Sequence, residues 1–328
     1  MYRSFDGNGH RTKIVDELRY RFPGEQTQVL HGRFEKVSGL NEASGFIVSS
    51  WTGRDLYCFV ENGIVHSNDL SVPFVSTKEE YFKTANAFLN DLKEQNITKA
   101  IFSRIKKCSA ELAPETAFQR LTEEYPEAFV YYFSSSLLGT WIGASPEVLC
   151  SFENGKFTTM SLAGTLPKNS EKTWTSKELN EQAAVTSFVR KKLSKYGRKI
   201  SISDRHVVEA GAVCHLRTIL SCTISAEQLG DLLNELHPTP AVSGLPRDQA
   251  MHLIQKYEKH DRELYTGFLG WKQHDRSSVY VNLRCAKWIG GHYYLFVGGG
   301  FTQASVVQDE WEETENKSQT LLKVLQNM

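Results

Sequence analysis

Two short stretches of this 328-residue chain place carboxylates where they could hold a cation. In Glu310-Trp-Glu-Glu-Thr-Glu-Asn-Lys317, Glu310, Glu313 and Lys317 stand at i, i+3 and i+7, so on a helix they share one side while Glu312 and Glu315 point elsewhere. Lys177, Glu178 and Glu181 open a second helical stretch in the same style. A solvated helix face, acidic in its first turn and laced with Glu-Lys pairs, gives the same pattern. If one carboxylate from each helix instead converged on a common point, the all-oxygen donor set would suit Mg²⁺ completed by water and substrate oxygens. Gly298-Gly299-Gly300 follows the strand-like run Tyr293-Tyr-Leu-Phe-Val. The triplet reads either as a bulge or tight turn, or as backbone stripped of Cβ atoms so that an anionic ligand can approach. Arg284, in Val281-Asn-Leu-Arg-Cys-Ala-Lys287, is either a solvent-side strand residue or a bidentate clamp for a carboxylate.

The elements that must carry these groups are legible as periodicities. Residues 76–95 repeat apolar side chains three and four apart (Tyr81, Phe82, Ala85, Phe88, Leu89, Leu92) behind the potential caps Ser76 and Thr77, which predicts a helix. Similar stripes occupy roughly 114–124, 176–196, 225–236, 246–257 and 309–326. Between them lie β-type runs that begin at Phe46, Leu56, Ala100, Phe129, Val148, Val279 and His292. Short polar turns, Glu153-Asn-Gly-Lys156 and Ile289-Gly-Gly291, join runs in the manner of antiparallel hairpins. The expected fold is α+β, a large antiparallel β-sheet core with helices packed outside. Neither a repeat nor a Pro/Gly/Ser-rich linker divides the chain, so residues 1–328 read as one unit.

Composition narrows the chemistry. Lys plus Arg and Asp plus Glu are both 38, a net charge of zero, so no global field would gather nucleic acid or an anionic membrane. No apolar run approaches the ~18 residues of a membrane span, and the N-terminus has no apolar signal region. The six cysteines contain no CxxC pair and read as reduced thiols, so a cytoplasmic protein is expected and the Asn96 and Asn316 sequons carry no weight. Neither GxGxxG, a Walker loop, HExxH nor GxSxG occurs, which removes dehydrogenase, P-loop NTPase, zincin and α/β-hydrolase readings. No heptad seam is visible, and a monomer is expected.

Taken in order, the segments Lys99-Ala-Ile-Phe-Ser-Arg104, Gly143-Ala-Ser-Pro-Glu147, Leu162-Ala-Gly-Thr165, Lys177-Glu-Leu-Asn-Glu181, Leu236-His-Pro-Thr-Pro-Ala-Val-Ser-Gly-Leu-Pro246, Asp261-Arg-Glu-Leu-Tyr-Thr-Gly-Phe-Leu-Gly-Trp271, Leu283-Arg-Cys-Ala286, Gly298-Gly-Gly300 and Glu310–Lys317 resemble the chorismate-utilising enzymes. They cover about residues 99–317. Within that family the Leu236–Pro246 run is most similar to isochorismate synthases. Lys99 stands where the water-adding members carry a lysine base, and Ala163 stands where amine-forming members carry a covalent lysine. Residues 1–75 look like a shortened N-terminal framework.

The resemblance implies that Lys99 deprotonates a water attacking C2 of chorismate while Glu147 protonates the departing C4 hydroxyl, giving isochorismate for menaquinone or siderophore synthesis. Such roles require the lysine pKa to fall and the glutamate pKa to rise, as burial would make them do. By the same correspondence Glu181 and Glu313 would ligate Mg²⁺ with support from Glu178 and Glu310. Arg284, Tyr265, Gly298, Gly299, Gly300 and Lys317 would hold the enolpyruvyl carboxylate, and Thr165 and His237 would be polar groups of the pocket. Two rivals remain: a salicylate synthase that goes on to eliminate pyruvate, and a chorismate-binding regulatory protein without turnover.

Overall fold

A computed structural model describes residues 16–62, 70–109, 111–168, 173–210 and 213–326. In chain order the strands and helices are β1 (Asp16–Arg21), β2 (Gln28–Val37), β3 (Gly45–Ser49), β4 (Leu56–Val60), α1 (Lys78–Glu94), β5 (Lys99–Ser109), α2 (Pro114–Glu124), β6 (Phe129–Ser135), β7 (Gly139–Ser145), β8 (Val148–Glu153), β9 (Lys156–Pro167) and α3 (Ser176–Tyr196). They continue with β10 (Arg198–Ile202), β11 (His206–Ala210), β12 (Val213–Thr223), α4 (Leu229–Leu236), β13 (Gly244–Leu245), α5 (Arg247–Tyr257), β14 (Phe268–Lys272), β15 (Arg276–Val281), β16 (Cys285–Ile289), β17 (His292–Phe301) and α6 (Val307–Leu325).

Every strand pairing is antiparallel, and β2 belongs to two layers at once. Its residues 28–32 pair with β1 and its residues 33–37 with β4. From that shared strand one layer runs β2–β1–β6–β7–β16–β17–β5–β13. The other runs β2–β4–β3–β14–β15–β8–β9–β12, with β10 and β11 both paired to β12. The expected α+β fold with an antiparallel core is what forms, and the sheet bends over itself into a sandwich.

The strand period of two explains the layering. On β6, Phe129, Tyr131 and Phe133 point between the layers, where they join Phe34, Phe46, Trp141, Leu269, Tyr280 and Phe296; Phe129 stacks on Tyr280 with ring centroids 4.7 Å apart. Val130 and Tyr132 point outward against α2 and α6. Helices α1 and α5 cover the neighbouring part of that outer face through Phe88, Leu92 and Leu253, while α3 and α4 cover the other layer through Val189, Leu193, Leu232 and Leu236. Strands β1 to β4 of the N-terminal part are built into the sandwich, β1 against β6 and β3 against β14. Among the described residues no helix is long and apolar enough to cross a membrane, and all six cysteines are free thiols.

Candidate active site

A pocket opens where the start of β5, the end of β17, β9, β12, α3 and α6 meet. Lys99, Glu147, Thr165, Glu181, Tyr265, Arg284, Gly298, Gly300, Glu313 and Lys317 all line it, although they span more than two hundred residues of sequence.

Lys99 is the first residue of β5 and is buried, with its Nζ donating to Glu181 Oε1 at 2.6 Å. Its strand is held by the segment after the Leu236–Pro246 run's prolines begin: Thr98 N donates to the Leu245 carbonyl at 2.9 Å and Ile101 N to the Ser243 carbonyl at 2.8 Å. That is what this run does, and it corrects the expectation for His237. The His237 ring is buried outside the pocket, its Nε2 3.1 Å from the Trp51 carbonyl and its edge against Phe268. Burial lowers its pKa to about 4, so it is a neutral structural imidazole.

Glu147 sits in the tight link between β7 and β8, pinned because Val281 N donates to its carbonyl at 3.0 Å and its own N–H donates to Ser145 Oγ. Burial raises its pKa to about 7, against the opposing pull of Lys99, Arg284 and Lys317. The carboxyl thus holds its proton well above the usual carboxylate range, up to about pH 7, despite three nearby cationic side chains.

The glycine triplet is neither bulge nor turn, since β17 runs through it in register with β5. Side-chain positions alternate there. A Cβ on Gly298 would lie 3.0 Å from Tyr265 Oη, and one on Gly300 would lie 3.1 Å from Lys99 Cε, both on the pocket side. A Cβ on Gly299 would lie 2.8 Å from Glu310 Oε2 on the opposite face, so Gly299 makes room for Glu310 and does not line the pocket.

Three carboxylate–lysine pairs gather around the acidic helices, and one of them, Lys177–Glu310, joins α3 to α6. Besides Lys99–Glu181, Lys317 Nζ lies 2.5 Å from Glu313 Oε1 and donates to the Gly298 carbonyl at 2.9 Å, and Lys177 Nζ donates to Glu310 Oε1 at 3.0 Å. Glu310 is buried; its Oε1 also accepts from Ser305 Oγ, and its Oε2 has no hydrogen-bond partner. Burial, then Glu313, raises its pKa. Burial pushes the Lys177 ammonium down, but Glu310, Glu313 and Glu181 pull it up overall. Among the described residues no three His, Cys, Asp or Glu groups already form a metal cluster. Glu178 is spent elsewhere: its Oε2 accepts from Thr175 N at 2.9 Å and from Thr175 Oγ1, closing the capping box of α3.

A profile of the chorismate binding enzyme family matches residues 65–326. The chain belongs to that family. The vibriobactin-specific isochorismate synthase of Vibrio cholerae is 30% identical over 74% of this chain, and the isochorismate synthase EntC of Escherichia coli K12 is 27% identical over 70% of it. The chain spans 66% and 62% of the lengths of these two relatives, less than two thirds. The solved structure of Bacillus anthracis DhbC has the same fold, with a TM-score of 0.82 at 24% identity, covering 96% of this chain and 97% of that one.

For a chorismate-binding enzyme the pocket also holds a residue that sequence reasoning missed. His215, on β12, lines it with a buried ring. Its Nδ1 lies 2.9 Å from the Gly164 carbonyl and must donate to it, which leaves Nε2 to accept from the Arg284 guanidinium at 3.3 Å. Burial, then Arg284, lowers its pKa to about 3, consistent with that neutral tautomer. Thr165 Oγ1 stands 3.3 Å from the same Nδ1. Arg284 itself holds a left-handed backbone (φ 49°) that is uncommon for a side-chain-bearing residue, with its carbonyl accepting from Ala144 N. The only signal for His215 was the apolar alternation of β12 around it, which reads equally well as core.

Proposed function

We propose that this chain is an isochorismate synthase. The observation that carries the reading is the meeting of Lys99 and the buried Glu147, whose pKa burial raises to about 7, in one pocket that also offers Arg284, Tyr265 and Lys317 to a carboxylate. Chorismate is a dianion with a ring between its carboxylates, and a pocket with cations on its walls and glycine backbone at one side accommodates it. Lys99 acts as the neutral amine, released from the ion pair it makes with Glu181 here, and takes a proton from the water that adds to C2. Glu147 gives its proton to the C4 hydroxyl as that bond breaks, and the ring double bonds shift. One water enters and one leaves. Ala163, in the pocket wall, leaves the added nucleophile to solvent, because no lysine stands there to attack.

The acidic residues fit Mg²⁺. All their donor atoms are oxygens and Glu181 and Glu313 face the pocket, while the buried, unpartnered Oε2 of Glu310 lies on the far side of the β17 backbone at Gly299. Glu181 and Glu313 would hold the ion, with Glu310 behind them, while Lys99, Lys177 and Lys317 now neutralise one carboxylate each. When bound, the ion would neutralise the substrate's ring carboxylate and draw electron density from the ring. All these groups come from one chain, so the site asks for no residue of a partner subunit, and the free thiols suit a reducing cytoplasm.

Incubating the protein with chorismate and Mg²⁺, with and without EDTA, and separating the products tests the reading. Isochorismate formed only with the metal is expected. Accumulation of salicylate and pyruvate would replace it with the lyase reading, and no product with retained chorismate binding would make the chain a binding protein.

A further inference from the structure

Behind the pocket wall, and outside its lining, the Arg262 guanidinium is 1% exposed. A guanidinium carries five N–H donors, and here each finds an acceptor. Nε donates to Glu258 Oε2 at 2.8 Å, and one terminal nitrogen to Glu258 Oε1 at 2.7 Å and to the Ile101 carbonyl at 2.9 Å. The other donates to the Val242 carbonyl at 2.9 Å and to Thr266 Oγ1 at 3.3 Å. Ile101, Val242 and Thr266 all line the pocket, and they belong to three segments that the chain order keeps apart. The Arg262 carbonyl also accepts from Tyr265 N at 2.7 Å. Glu258 accepts from both the N–H and the hydroxyl of Ser103, at 2.7 Å each, so the pair is anchored to the strand that begins with Lys99.

We propose that Arg262 is a positioning residue for substrate binding, fixing the distance between the strand that carries Lys99 and the turn that carries Tyr265, with Glu258 as its counter-ion. The inference rests on the chorismate reading of the same pocket and says what sets its width. Lysine would keep the charge but has one nitrogen on a flexible stem, so it cannot bridge three pocket segments and a carboxylate together.

The test is steady-state kinetics of Arg262→Lys with chorismate, normalised to folded protein by circular dichroism. A displaced wall moves the base as well as the tyrosine that meets the substrate, so KM rises about tenfold and kcat per folded molecule falls with it by at least about threefold. A purely structural arginine would lower the folded fraction and leave KM alone. Glu258→Gln, nearly isosteric, decides the matter if the lysine variant does not fold, with an expected rise in KM of about threefold. Wild-type turnover with KM within about twofold in the folded variants overturns this inference alone. A wild-type protein inert toward chorismate removes the functional reading, and this inference with it.

Discussion

Glu147 and Glu258 are both buried glutamates near the same pocket, and their protons behave oppositely. Burial alone would raise both. For Glu147 it wins, because Lys99, Arg284 and Lys317 act on it only through space and its pKa rises to about 7. For Glu258 it loses: Arg262, His260 and Ser103 hold the charged form, and the pKa falls. A carboxylate whose lone pairs are filled by donors is structural, whereas one buried without them is free to carry a proton in a reaction.

The largest expected effect breaks the pair from the Glu147 side. Glu147→Gln, and separately Lys99→Ala, should lower turnover of chorismate by roughly 10²–10⁴-fold while substrate binding by calorimetry persists. Full activity in either would end the acid–base assignment. Glu258→Ala should do the reverse: leaving Arg262 buried without its counter-ion costs roughly 3–5 kcal/mol in a denaturant melt.

pH separates the two glutamates further. An unfolded glutamate releases its proton near 4.5, and Glu147 in the fold near 7. Between those values the unfolded state binds fewer protons, so the Glu147 contribution to stability falls as pH rises and is lost above about 7, to the extent of roughly 3 kcal/mol. Glu147→Gln should therefore melt above wild type at pH 8 and close to it at pH 4. Turnover that depends on the Glu147 proton should decline above about pH 7. A flat profile on both counts would show that Glu147 does not hold its proton.

Smaller effects distinguish the glutamates of the two acidic helices. Glu313→Ala should raise the Mg²⁺ needed for half-maximal activity at least ~10-fold. Glu178→Ala, which removes a cap, should leave that titration unchanged and cost about 1 kcal/mol.

The helices were legible because their apolar stripes are long, and α1 and α3 also because Thr77 and Thr175 close capping boxes where the periodicity starts. Strands β2, β7, β11, β12 and β14 went unread, and so did β1 and β10, because Asp16-Glu-Leu-Arg-Tyr-Arg21 and Arg198-Lys-Ile-Ser-Ile202 carry too many charges to read as β. The ordered motifs brought most of the pocket together in advance. They misplaced His237, whose rigid segment acts at a distance by aligning β5, and Gly299, whose open side alternates away from the pocket. His215 and Arg262 escaped since their roles depend on partners fifty or more residues away, at Gly164, Arg284, Ile101 and elsewhere.

The most direct measurement of the central claim is turnover of chorismate in H₂¹⁸O with Mg²⁺, followed by mass spectrometry of the product. Water activated by Lys99 predicts isochorismate carrying one ¹⁸O, at the C2 hydroxyl, with the C4 oxygen lost to solvent. Unlabelled isochorismate would contradict the account, because the hydroxyl would then have moved within the substrate without a base-activated water.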